Sequence, residues 1–187
     1  MNSLQQPKEK KIMGTGRSCF YVVGSAEYSR CEGYAVYLVG PERCYYYELL
    51  KPNETITGER YRTQLMRLSR ALRQKRPQYE QRHEKVILQH DNARPHVAKL
   101  VKTYLETLKW EVLPHPPYSP DIAPSDYYLF RSMAHGLADQ QFRSYEDISK
   151  WLDSWIASKD EHFYRHGIQA LPERWEKVVA IDGQYFE

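Results

Sequence analysis

Val86-Ile87-Leu88-Gln89-His90-Asp91-Asn92 is a short apolar run that leads directly into a carboxylate. Three consecutive aliphatic residues bounded by polar ones fit a strand buried on both faces. Sheets of that kind present their functional groups at the carboxyl ends of the strands, which is where Asp91 stands. Downstream, apolar spacing at Val97, Val101, Tyr104 and Leu108 predicts a helix from about Pro95 to Lys109. Trp110-Glu111-Val112-Leu113 reads as another short strand. It ends in a proline-rich loop, His115 to Pro124, after which a helix starts at Ser125 or Asp126 and carries Tyr128, Leu129, Met133 and Leu137.

Upstream, residues 44–50 are strand-like, and Lys51-Pro52-Asn53-Glu54 breaks the pattern. A long helix is expected from Thr57-Gly58 to about Arg76, with Tyr61, Leu65, Leu68 and Leu72 on its buried face and Pro77 ending it. Its other faces are rich in arginine. Residues 20–23 and 34–39 are shorter β-like runs, and residues 1–18 read as a polar tail. Past the loop, Ser144 with Asp147 resembles a capping box opening a helix through Trp151 and Trp155, and a last helix is expected near Pro172–Ala180. Alternating strand and helix between residues 44 and 113 argues for an α/β sandwich, a mixed sheet flanked by helices.

Composition narrows the function classes. The chain has 187 residues, 41% hydrophobic and 27% charged, as soluble globular domains do. A net charge of +3 is compatible with nucleic acid without demanding it. Cys19, Cys31 and Cys44 are odd in number and lack a CxxC spacing, so neither a disulfide framework nor a cysteine zinc site is expected, and the usage fits a reducing compartment. There is no secretion signal and no apolar run long enough to span a membrane.

Two carboxylates stand out. Asp91 follows the buried strand, and Asp126 opens a helix after the proline-rich loop, with 34 residues between them. That interval of helix, strand and loop is long enough to return the chain beside the first strand. Paired carboxylates raise each other's pKa unless a cation neutralises them, and hard divalent ions suit such oxygen donors. On spacing alone the simpler reading of Asp126 is a helix cap. His90 and His96 have no structural zinc spacing. Asn92 and Arg94 are candidates for phosphate contact or for capping. His115, Tyr118 and Ser119 are candidates for substrate contact, against a loop merely stiffened by Pro114, Pro116, Pro117 and Pro120. The arginine-rich helix is either a solvated face or a contact for a DNA backbone. Trp151, Trp155 and Trp175 read as core.

The words around the aspartates are more specific than their spacing. His90-Asp91-Asn92-Ala93-Arg94-Pro95-His96 and Leu113-Pro-His-Pro-Pro-Tyr-Ser-Pro-Asp-Ile-Ala-Pro-Ser-Asp126-Tyr-Tyr-Leu-Phe130 resemble signature blocks of the mariner transposases. So do Tyr47-Glu-Leu-Leu-Lys-Pro-Asn-Glu-Thr-Ile-Thr-Gly58, the stretch Leu171-Pro-Glu-Arg-Trp-Glu-Lys-Val-Val179, and Gly183-Gln-Tyr-Phe186. The resemblance runs from about Tyr45 to Glu187. It implies an RNase H-like catalytic core and Mg²⁺- or Mn²⁺-dependent cutting and joining of DNA at transposon ends. Asp91 and Asp126 would then be the second and third catalytic and metal-binding aspartates. It further implies a nuclear protein with DNA as partner, dimeric assembly, no membrane association and no small-molecule substrate.

The family places a further aspartate on the first strand, in a Thr-Gly-Asp-Glu-like segment. Here no Asp precedes Asp91. Pro7-Lys-Glu-Lys-Lys-Ile-Met-Gly-Thr-Gly-Arg-Ser-Cys19 stands where the family has Pro-Lys-Arg-Lys-Lys-Ser-Trp-Val-Pro-Gly-Glu-Ala-Ala-like sequence, and a one-base shift can interconvert the two. The same holds for Val36-Tyr-Leu-Val-Gly-Pro-Glu-Arg-Cys44 against Cys-Ile-Trp-Trp-Asp-Gln-Lys-Gly. Residues 1–44 are accordingly expected to be an atypical, out-of-frame or disordered segment, and residues 45–187 a partial catalytic domain. The expected core lacks its central strand, and the expected protein is a catalytically inactive remnant that binds nucleic acid or a related transposase chain.

Overall fold

The computed structural model describes residues 18–22, 26–28, 33–51, 54–75, 86–117, 119–138 and 140–180. Six strands form one sheet: β1 (Ser18–Val22), β2 (Ala26–Tyr28), β3 (Gly33–Val39), β4 (Cys44–Leu49), β5 (Val86–Gln89) and β6 (Glu111–Val112). β4 runs antiparallel along one edge of β3, while β2 and β1 pair with the start and end of its other edge. β1 then pairs in parallel with β5, and β5 with β6. The sheet is mixed, as expected. Its central position is filled, contrary to expectation: β1 lies between β3 and β5, with Tyr21 level with Val39 on one side and Gln89 on the other. Ladder hydrogen bonds are made by backbone, so a β-capable segment such as Ser-Cys-Phe-Tyr-Val can fill the slot without the family's motif. β1, β2 and β3 thus lie in the segment read as atypical, and β1 and β3 fall on the β-like runs at residues 20–23 and 34–39.

β5 is buried along its whole length, which its apolar run requires. Val86 and Leu88 face one cluster with Tyr61, Leu65, Leu68 and Leu72 of α1 (Gly58–Lys75) and Val101 and Leu105 of α2 (Lys99–Leu108). Ile87 faces the opposite cluster, with Leu113, Ile122, Ile168, Leu171, Trp175 and Val178. The sheet thus has helices on both faces. α2 starts later than its sequence suggested: residues 94–97 form turns, and Val97 is exposed while Leu105 is buried. Lys109, in the left-handed conformation, ends α2 and turns the chain into β6.

The arginine-rich face of α1 is partly committed. Arg60 binds Glu48 at 2.7 Å and Glu54 at 3.0 Å, and Arg67 binds Glu48 at 2.8 Å, tying α1 to β4. Glu48 is held below its ordinary pKa by hydrogen bonds from Tyr46 and Arg60, against burial.

A π-helical turn, Ser125–Phe130, leads into α3 (Arg131–Leu137). α4 (Tyr145–Ala157) is capped as its sequence indicates: Ser144 Oγ accepts from the Asp147 N–H at 3.1 Å. Leu152 and Trp155 of α4 pack with Leu129, Met133 and Leu49. α5 (Glu161–Gln169) and α6 (Leu171–Ala180) close the chain's described part. Trp155 and Trp175 are buried, as expected, and Trp151 packs against the same core.

Gly167 of α5 seats the π-helical turn. A Cβ there would stand 2.6 Å from Cδ1 and 3.1 Å from Cγ of Tyr128, and the Tyr127 hydroxyl donates to the Gly167 carbonyl at 2.6 Å. The ring root cannot swing away cheaply. Gly167→Ala is expected to lower stability by about 1–3 kcal/mol, the usual cost of overpacking. A urea melt checks this; an unchanged midpoint would show that the turn has room to move.

Candidate active site

The site forms where β5 ends. Asp91 lies two residues beyond Gln89, and its Oδ1 accepts from the Ala93 N–H at 3.0 Å and the His96 Nδ1–H at 2.5 Å. An ionised carboxylate only accepts, so Nδ1 of His96 carries the hydrogen. The His96 bond, with the backbone bond, holds Asp91 down at about 2 against its ordinary value. Both bonds fall on Oδ1, and the side chain remains 50% exposed, so Oδ2 is the oxygen available to a ligand.

His96 is itself buried and packs on the ring of Tyr61, 4.2 Å between centroids. The Tyr61 hydroxyl and His90 Nδ1 share a hydrogen bond of 3.0 Å. Burial, aided by His96, pushes His90 down to about 4, which keeps it neutral at physiological pH. The two histidines thus serve as the wall behind Asp91. The zinc reading finds no support: among the described residues no group of three His, Cys, Asp or Glu is placed to hold a metal.

Asp126 lines the same cavity as Asp91. Its N–H closes a turn onto the Ala123 carbonyl at 2.8 Å and starts the π-helical stretch. The N-cap of this stretch is Pro124, and Asp126 stands inside its first turn. Burial pushes its carboxyl up to about 6, with Asp91 adding to the rise and Ser125 opposing it. One carboxylate is therefore stabilised as the anion while the other resists ionising, so a cation between them would relieve the second.

Asp91, Asn92, Ala93, His115, Pro116, Pro117, Ser119, Pro120 and Asp126 line a cavity of about 450 Å³. Four of the candidates are thereby placed with Asp91 or closed over it. Asn92 donates to the His115 carbonyl at 2.6 Å, linking the Asp91 loop to the proline-rich loop. His115 is held low by burial and accepts from Gln89 Nε2 at 3.3 Å. Ser119 donates to the Pro117 carbonyl at 3.2 Å, a bond within the loop. Arg94 is exposed and does not line the cavity. Tyr118 lies outside the described residues.

The donor set is two hard carboxylates in one cleft. It fits a single Mg²⁺ or Mn²⁺ completed by water or substrate oxygens. Among the described residues Asp91 and Asp126 are the acids that line the cleft, and β1, the strand beside β5, reads Ser-Cys-Phe-Tyr-Val. Sequence reasoning missed three supports of the site: His96 as the partner of Asp91, Gln89 as a clasp on the loop, and Arg174, which binds the Asp121 carbonyl at 2.9 Å. Gln89 was the one with a signal, a polar residue ending an otherwise apolar buried strand.

Known proteins resemble this chain in sequence and fold. A family model described as transposase (partial DDE domain) matches residues 42–82. The Mariner Mos1 transposase of Drosophila mauritiana is 61% identical over 142 residues, which is 76% of this chain and 41% of that protein. The chain thus spans under half of that relative's length. The solved structure of the Mos1 transposase catalytic domain and raltegravir with Mg superposes with a TM-score of 0.85 at 51% identity, covering 90% of this chain and 85% of that one. The Mos1 mariner paired end complex with Mn gives a TM-score of 0.80 at 53% identity, over 88% of this chain and 48% of that one.

Proposed function

The chain belongs to the mariner family of transposases, with their RNase H-like catalytic core, and from that premise we propose that its cleft is a DNA-processing site in which Asp91 and Asp126 share one divalent cation. The observation carrying this is the convergence of the two carboxylates on one cavity, one held low at about 2 and the other pushed up to about 6 by burial. A bound Mg²⁺ or Mn²⁺ would neutralise them and polarise a phosphoryl oxygen. Asn92, His115 and Ser119 shape the wall against which a DNA backbone would lie. The partner is DNA carrying transposon ends, which puts the protein's work in the nucleus, and a second copy of the chain is the protein partner that a paired-end assembly requires.

A specific observation favours a second reading of the chemistry. The central strand β1 offers no carboxylate, so the cleft holds DNA and a cation without completing the cutting machinery. The family's cleavage and joining is then the ancestral activity of the site, and this chain is a nucleic-acid-binding remnant. We also read residues 11–44 as translated from a shifted frame. Coding DNA in which no single shift restores family-like sequence would remove that part of the reading.

Titration with Mn²⁺ tests the cation site. One ion per chain is expected, with binding lost in both Asp91→Ala and Asp126→Ala. No binding by the parent chain would refute the shared site, and two ions per chain would refute its incompleteness.

A further inference from the structure

We infer that Arg174, on the C-terminal helix α6, is a positioning residue that fixes where Asp126 stands relative to Asp91. The inference rests on the reading that these two share a cation. Arg174 Nη1 donates to the Asp121 carbonyl at 2.9 Å, and its guanidinium lies 4.0 Å from the ring centre of Tyr127. Tyr127 directly follows Asp126 on the π-helical turn, so one side chain grips the chain on both sides of the carboxylate. From the sheet, Gln89 Nε2 donates to the Ile122 carbonyl at 2.9 Å. Adjacent carbonyls are thus held from two directions, by the strand that delivers Asp91 and by the last helix.

Neither Gln89 nor Arg174 is among the described residues lining the cavity. Their effect passes through the segment from Ser119 to Tyr127. Planar guanidinium suits the double task, since it forks hydrogen bonds and stacks on an aromatic face at once. Leu171, Trp175 and Val178 seat α6 on the core. Arg174 is therefore not needed to dock the helix. Its bonds are additional, and they are directed at the one segment whose placement sets the spacing of the two carboxylates. Mg²⁺ demands near-ideal geometry from its ligands, so a small drift of that segment is costly to binding.

Two measurements on the full chain test this. Hydrogen exchange should quicken over residues 119–130 in Arg174→Ala, with α4 unchanged, and Mn²⁺ affinity should fall about tenfold, as losses of outer-shell support do. Arg174→Lys, which keeps the charge and a donor, should recover most of the affinity. Lys177→Ala, on the same helix and paired at the surface with Glu173, should behave as the parent. Unchanged exchange over residues 119–130, or an equal rise through α4, overturns the positioning role. If the parent binds no Mn²⁺ while the exchange responds as expected, the shared-cation reading is the part that fails.

Discussion

Incubated with Mg²⁺ or Mn²⁺, this chain will leave a duplex carrying transposon ends uncut under conditions in which Mos1 transposase cleaves it. Two-ion phosphodiester chemistry requires both the attacking and the leaving oxygen to be met by a cation, in line. Asp91 and Asp126 supply carboxylates from the end of β5 and from the π-helical turn. By resemblance to the family, a further carboxylate would come from the strand beside β5. That strand is β1, where Tyr21 is level with Gln89, two residues before Asp91. None of its five residues is acidic.

The expected deficit is large because the groups of such a site act as a unit. Removing one member of a catalytic set costs on the order of 10⁴-fold or more, and the remaining members recover little alone. Residual DNA binding should persist, because phosphate attraction depends on basic groups and not on the carboxylates. A gel assay with labelled ends and a parallel mobility-shift measurement separates the two. Metal-dependent nicking by this chain that disappears in Asp91→Ala would sink the claim of an incomplete site.

Sequence made some parts of this molecule legible and hid others for identifiable reasons. The strand Val86–Gln89 was readable because an apolar run buried on both faces has no alternative place in a small α/β domain. α1 was readable from the spacing of Tyr61, Leu65, Leu68 and Leu72 and from a proline just beyond it. Asp91 and Asp126 were readable from the words around them. The central strand was not, because its pairing depends on backbone groups that every residue carries, so the absence of a motif misled. The arginines of α1 could be read as a solvated face or as a DNA contact, and Arg60 and Arg67 bind Glu48, a partner on another element that helical periodicity cannot reveal. Arg174 was hidden for the same reason: its acceptor is a main-chain carbonyl 53 residues away. His96 was noticed only as a possible ligand, and its actual role needs the turn at residues 94–97 that folds it back onto Asp91.

Asp126→Asn should abolish cation binding and yet make the metal-free chain more stable at neutral pH. Burial and Asp91 push the Asp126 carboxyl up to about 6 from the ordinary 3.8. A raised acid favours the folded state only while protonated. Its stabilising share is complete below the unfolded pKa and is lost as pH rises through the folded one. Above about pH 6 the parent therefore carries an ionised, poorly hydrated carboxylate. At 1.36 kcal/mol per pKa unit the penalty approaches about 3 kcal/mol, and partial hydration lowers it to about 2. Asparagine keeps the shape and removes the charge. For a chain of this size the variant should melt roughly 4–8 °C higher at pH 7.5. At pH 4 most of the difference should vanish, since the folded parent's carboxyl is then protonated and the unfolded one is only about half ionised. His90, held down at about 4, destabilises both proteins equally as pH falls from 6.5, so it cancels in the difference. Mn²⁺ provides the complementary arm: it should raise the melting temperature of the parent by mass action and leave Asp126→Asn unmoved. A variant no more stable than the parent at pH 7.5, or stabilised just as much at pH 4, would show that Asp126 carries no such strain and that its place in the cleft is not one a cation must relieve.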